Sequence, residues 1–165
     1  MAFIVVILLA AAGAAFHLFF GRGNDVGRER IVEICLLYLL TVVWGFGAAL
    51  LALPHILAPD YVAAYVDWPA GNPFQIELGF ANLGRALLGI LCIWFRGPFW
   101  IAPVVSNTVF GLGAGYVHVR EIVEHANYSP GNAGPVLFVD IAIPLLAIVL
   151  LRHHLRGGPA GPGGR

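Results

Sequence analysis

Five separate stretches of this sequence are apolar over a length that matches the thickness of a lipid bilayer, at about 2–20, 31–57, 77–95, 99–119 and 135–151. A helix rises about 1.5 Å per residue and roughly 20 residues cross the hydrocarbon core. Runs of this length and number predict an all-α fold, an integral membrane bundle of five transmembrane helices. Composition leads to the same place: 59% of the residues are hydrophobic and 11% charged, against about 25% charged in a soluble domain. There is too little polar surface to coat a water-facing globule.

Arginine placement sets the expected orientation, because cytoplasmic flanks collect positive charge. The chain has no lysine. Arg22, Arg28 and Arg30 lie between the first and second apolar runs, Arg96 between the third and fourth, and Arg152, Arg156 and Arg165 after the fifth. These are alternate flanks, so they share one side. The other side holds Arg120, offset by Glu121 and Glu124. The expectation is a multi-pass protein of the cytoplasmic (bacterial inner) membrane with its N-terminus outside and its C-terminus in the cytoplasm. The first run has no basic residue before it, so it is expected to be retained as a helix rather than cleaved as a signal peptide.

One transmembrane domain over residues 1–156 is expected, with the second to fifth helices as its core. The first helix, whose sole ionisable side chain is His17, is expected to be peripheral. Residues 157–165, built of glycine, proline, alanine and arginine, lack anything to bury and are expected to be disordered. The formal net charge is 0, which gives no reason to expect a nucleic-acid partner. Cys35 and Cys92 fall at matching depth near the cytoplasmic ends of their helices, where a reducing compartment argues against a disulfide. Between the second and third helices, Tyr61, Tyr65 and Trp68 share one helical face, as in a segment lying flat among lipid headgroups.

The second and third helices, laid over the fourth and fifth, suggest an internal repeat. His55 is followed by Trp68-Pro69-Ala70-Gly71-Asn72-Pro73 and Glu77; His118 is followed by Tyr128-Ser129-Pro130-Gly131-Asn132, Pro135 and Asp140. Each half carries a histidine, an aromatic-Pro-Gly-Asn turn and a carboxylate at its outer end. Repeats of this kind build sites in membrane proteins, and Pro-Gly-Asn is also ordinary turn chemistry.

Polar side chains inside a span are costly and face the bundle interior or a wet cavity. The third helix aligns Gln75, Asn82, Arg85, Gly89 and Cys92, and the fourth aligns Asn107, Gly111, Ala114, His118, Glu121 and His125. The second sets Glu33, Thr41, Trp44 and His55 along one face, and the fifth contributes Asp140 one turn before Pro144. Arg85 and Asn107 fall near mid-membrane; Glu77, His118 and Asp140 fall in the outer third. The candidate ligand- or ion-binding residues are therefore Glu77, Asn82, Arg85, Asn107, His118 and Asp140. Arg85 needs a counter-charge, and an Arg85–Asp140 pair is expected, with Glu77 as the competitor.

His118, Glu121 and His125 have a spacing that metal sites use, with His55 as a further histidine at similar depth, so metal or haem is an alternative although no cofactor is expected. Gly111 to Gly115 and Gly45 to Ala49 are small-residue patterns that close helix packing explains. Phosphate-binding loops, dinucleotide fingerprints, nucleophile elbows and Cys-x-x-Cys pairs are absent, so the sequence leans away from an enzyme and leaves the question open.

Three segments, DWPAGNPFQIELGFANL (67–83), FGLGAGYVH (110–118) and YSPGNAGPVLFVDIAIPLL (128–146), resemble a family of small bacterial polytopic membrane proteins classed as a domain of unknown function. The resemblance runs over about 30–150 and implies a membrane location with no defined activity. The functional expectation is binding or passage of a small polar or anionic ligand, an ion or a proton at an outward-facing polar pocket. The alternatives are a metal- or haem-dependent membrane oxidoreductase and a non-catalytic accessory subunit. Besides the bilayer, a homo-oligomer or a membrane partner is compatible with so small a bundle.

Overall fold

A computed structural model describes residues 2–21, 27–71 and 73–157; the expectations placed on Arg22, Asn72 and the tail at 158–165 lie outside the described residues. Among the described residues the chain is all-helical. It forms α1 (Ala2–Phe20), α2 (Arg28–Leu57), α3 (Pro59–Val66), α4 (Phe74–Leu91), α5 (Ile101–His125) and α6 (Pro135–Arg156), with a 3-10 turn at Gly97–Trp100 leading into α5. By length and composition α1, α2 and α6 are long and apolar enough to cross a membrane. Helices α4 and α5 fall short because they carry Gln75, Glu77, Asn82 and Arg85, and Ser106, Asn107, Thr108 and His118.

Two antiparallel hairpins, α2 with α4 and α5 with α6, form the bundle, and α1 lies along α2. Glycine makes both hairpins tight. A Cβ on Gly89 would lie 2.5 Å from the Leu40 carbonyl oxygen and 2.7 Å from the Gly45 nitrogen, so the α2 and α4 backbones touch there. A Cβ on Gly111 would lie 2.8 Å from both the Asp140 carbonyl oxygen and Pro144 Cγ of α6. Small residues allow this approach, and close packing drives helix association where burial from water does not.

Local chemistry explains most of the boundaries. Pro54 removes a backbone donor near the end of α2, and the helix stops at Ala58, whose φ is −142°. Pro59 and Pro135 occupy first-turn positions of α3 and α6, where no donor is lost. α3 stops at Val66 because Asp67 turns left-handed at φ 59°. Trp68 is thereby taken off the face it was expected to share with Tyr61 and Tyr65, both exposed, and its ring lies 6.1 Å from Phe74. Within α2, Leu39–Gly47 winds as a π-helix, a form uncommon over such a length; Thr41 Oγ1 bonds back to the Leu37 carbonyl at 2.8 Å inside it.

The core is divided along the bundle. At one end of the bundle, the inner end of the topology expected from the sequence, α2 and α5 begin and α4 and α6 end, and Leu36, Leu40, Cys92, Trp100, Val104, Ala147 and Leu151 pack as an apolar cluster. Trp100 is fully buried, and its indole N–H donates to the Cys92 carbonyl at 3.3 Å. Cys35 and Cys92 are both free thiols. The buried polar residues Gln75, His55, His118, Asn127 and Asn132 gather at the opposite, outer end. Outside, the helices expose Leu8, Phe19, Leu53, Val109, Phe138 and Val149.

Since Gly89 meets backbone atoms that have nowhere to move, Gly89→Val should lower the unfolding temperature in detergent, at a cost of about 1–3 kcal/mol. Gly113→Val, with nothing within 4 Å of its Cβ position, should leave that temperature unchanged.

Candidate functional site

Helix α5 carries the site. Asn107, Gly111, Gly115 and His118 recur at steps of three and four, so they form one stripe directed at α4 and α6. At its lower end the Asn107 side chain, fully buried, donates from Nδ2 to the Pro103 carbonyl at 2.9 Å and accepts from Arg85 Nε at 2.9 Å. A terminal nitrogen of Arg85 donates to Asn82 Oδ1 at 2.8 Å, and the guanidinium lies 3.6 Å from the centre of the Phe110 ring. Two amide oxygens and one aromatic face thus hold the cation. The expected Arg85–Asp140 ion pair is not formed; Asp140 influences Arg85 through space, as a neighbouring charge. Nε and one terminal nitrogen of Arg85 are instead taken by the Asn107 and Asn82 oxygens.

Asp140 instead faces His118. Its Oδ2 lies 3.6 Å from His118 Nε2, in a partly buried setting on the face where Gly111 and Gly115 bring α6 against α5. The other imidazole nitrogen, Nδ1, is 2.7 Å from Asn132 Oδ1. Asn132 is fully buried, and its Nδ2 donates to the carbonyls of His118 at 3.2 Å and Asn127 at 2.9 Å. With both amide hydrogens given to carbonyls, Oδ1 is the acceptor, so His118 Nδ1 carries a proton.

The first hairpin repeats part of this. His55, buried at the end of α2, places Nδ1 2.8 Å from Oε1 of the buried Gln75 at the start of α4. Each hairpin therefore pairs an outer-end histidine, through Nδ1, with an amide oxygen from the returning chain. The correspondence ends at the carboxylate: Glu77 is exposed and has no partner among the described residues, whereas Asp140 meets its histidine.

At the outer end a cavity of about 460 Å³ is lined by Asp67, Trp68, Pro69, Glu121, His125 and Asn127. Glu121 and His125 lie one and two turns beyond His118 on the same stripe, 3.8 Å apart. The Trp68 indole nitrogen is buried beside this cavity with no hydrogen-bond partner. Asn127 fixes the rim, donating to the Val66 carbonyl at 2.9 Å, while Gly131 N–H donates to the Tyr65 carbonyl at 3.2 Å. On the outside of α5, Arg120 Nε donates to Glu124 at 2.7 Å, and that hydrogen bond raises the guanidinium above its usual range. Among the described residues no three His, Cys, Asp or Glu side chains group as metal ligands; His118 and His55 each take an amide partner, and His125 meets Glu121 alone.

Of the six candidates read from the sequence, the structure joins Asn82, Arg85 and Asn107 in one cluster and His118 and Asp140 in a second, and leaves Glu77 outside. Gln75, Phe110, Asn127 and Asn132 were not among them. Gln75 lay on the polar stripe of α4 and Asn132 in the repeated turn, so a signal existed for both. For Phe110 the signal was its position one turn after Asn107.

Fold and site together define an all-helical protein with three helices apolar enough to cross a membrane and two buried polar clusters within the bundle. The chain belongs to a family of unknown function, DUF6790, whose model matches residues 1–159. No curated protein and no solved structure matches it.

Asn132→Ala removes the acceptor of His118 Nδ1 and the two hydrogen bonds to the His118 and Asn127 carbonyls, and should destabilise the protein by about 1–3 kcal/mol in chemical unfolding in detergent. Glu77→Gln should change it by less than about 0.5 kcal/mol.

Proposed function

We propose that the protein is a five-span protein of the bacterial inner membrane, N-terminus outside and C-terminus cytoplasmic, that takes up and passes protons at the His118–Asp140 pair. α4 and α5 count as spans in this reading because, apart from the exposed Glu77 near the outer end of α4, the polar residues that lower their average hydropathy are buried or partly buried. Asn82 and Asn107 are 1% and 0% exposed, while Phe80, Leu87, Val109 and Tyr116 remain outside. Orientation rests on Arg28, Arg30, Arg96, Arg152 and Arg156, all at the inner end.

One observation carries the proton reading. His118 Nδ1–H is committed to Asn132, so Nε2 is the nitrogen presented to the Asp140 carboxylate. A lone pair facing a carboxylate is repulsive, and a single proton, on either partner, turns the contact into a hydrogen bond or an ion pair. The pair is therefore built to hold one exchangeable proton inside the bundle. Outward of it, Glu121 and His125 line the acidic mouth, which attracts cations and supplies further protonatable groups. Inward, the fixed charge of Arg85 opposes the passage of other cations.

Two measurements test this. In liposomes with an entrapped pH-sensitive dye, the wild-type protein should dissipate an imposed pH gradient, and Asp140→Asn and His118→Ala should slow that by roughly 10²-fold. Infrared difference spectra across a pH change should show a carboxylic-acid band that Asp140→Asn removes. Flux no faster than in protein-free liposomes, with no such band, overturns the proton reading. For the five spans, Cys35 and Cys92 are replaced by alanine and single cysteines placed at Gly71, Ser129 or Arg156. An impermeant thiol reagent added outside intact cells should label the first two and spare the third; any other pattern refutes the topology.

A further inference from the structure

The inner end holds a second cavity, of about 620 Å³, between the start of α2, the α4–α5 turn and the end of α6. Its walls include Arg30, Arg96, His153 and His154, together with Glu29 and Glu33. The cations are held in place. Arg96 bridges Glu33 at 3.5 Å and stands 5.6 Å from the centre of the Trp100 ring, whose other neighbour is the His154 ring at 4.8 Å. Arg28 donates to His153 Nδ1 at 3.2 Å. Among the described residues this end carries Arg28, Arg30, Arg96, Arg152 and Arg156 against the carboxylates Glu29 and Glu33, so the surroundings of the cavity are net positive. Arg96 meets Glu33 through one terminal nitrogen and donates from Nε to the Ile93 carbonyl at 3.3 Å, which leaves its second terminal nitrogen for a ligand.

We infer that this cavity binds the phosphate group of an anionic lipid headgroup or of a small soluble phosphate compound. Guanidinium forks match phosphate oxygens two at a time, and two of them, Arg30 and Arg96, line one cavity from different helical segments. Gly97 of the α4–α5 turn forms part of the wall beside Arg96. The volume exceeds that of a phosphate and accommodates the glycerol unit behind it, with Pro98 and Leu155 as the apolar side. Basic pockets at the ends of membrane helices are the setting in which anionic headgroups are recognised. The inference rests on the membrane placement proposed above and is independent of the proton pair.

Protein purified in mild detergent is mixed with phosphatidylglycerol, phosphatidylcholine, glycerol phosphate or inorganic phosphate; thermal stability and native mass spectra are then recorded. Phosphatidylglycerol should raise the unfolding temperature and remain bound, phosphatidylcholine should do neither, and R30Q/R96Q should abolish the difference. The charge-preserving R30K/R96K should retain part of it, and R120Q, at the opposite end, all of it. Stabilisation by glycerol phosphate or inorganic phosphate that is lost in R30Q/R96Q supports the same site with a soluble ligand. Equal retention of the two lipids with no response to either phosphate, or an R30Q/R96Q response matching wild type, overturns the inference.

Discussion

A polar side chain within an apolar bundle finds its hydrogen-bond partners inside the protein, because the surroundings offer none. The outer half of this molecule is organised by that constraint. Arg85 is held by Asn82 and Asn107 and covered by Phe110, His55 is paired with Gln75, and His118 with Asn132 and Asp140. Each partnership spans two helices or a helix and a loop, so each also fixes how the elements stand against one another. Glycine provides the complementary condition by bringing backbones close enough for such short side chains to meet.

The two ends of the bundle consequently do different physical work. Apolar packing around Trp100 and Leu40 gives the inner half its cohesion, without polar specificity. Hydrogen bonds of defined direction give the outer half its specificity. The asymmetry also separates the charges: the arginines of the inner end are rim groups around a cavity, while Arg85 is an internal cation held by amides.

The sequence made the helices legible because apolar runs of bilayer length have few other solutions, and the boundaries moved by a few residues where proline or a left-handed residue decided them. The polar stripes of α4 and α5 were legible from helical spacing, as were Arg85, Asn82, Asn107, His118 and Asp140 as inward-facing groups. Partner choice was not. Periodicity places a residue on a face, but whether Arg85 meets Asp140 or Asn107 depends on how α4, α5 and α6 stand against one another, which spacing along a single helix does not encode. Asn132 looked like a turn residue because its chemistry suits turns; its second role depends on the loop folding back over α5. The π-helix in α2 had no sequence signature, since its residues suit an ordinary helix equally well.

The closure of the α5–α6 loop also bears on the order of assembly. His118 is synthesised on α5 before Asn132 and Asp140 exist, so α5 enters its surroundings with an imidazole that has no partner. Only when the chain through α6 has emerged do the amide and the carboxylate arrive together, brought by one of the most apolar helices of the chain. α6 thus completes the polar partnerships that α5 begins, and the last hairpin assembles as one unit.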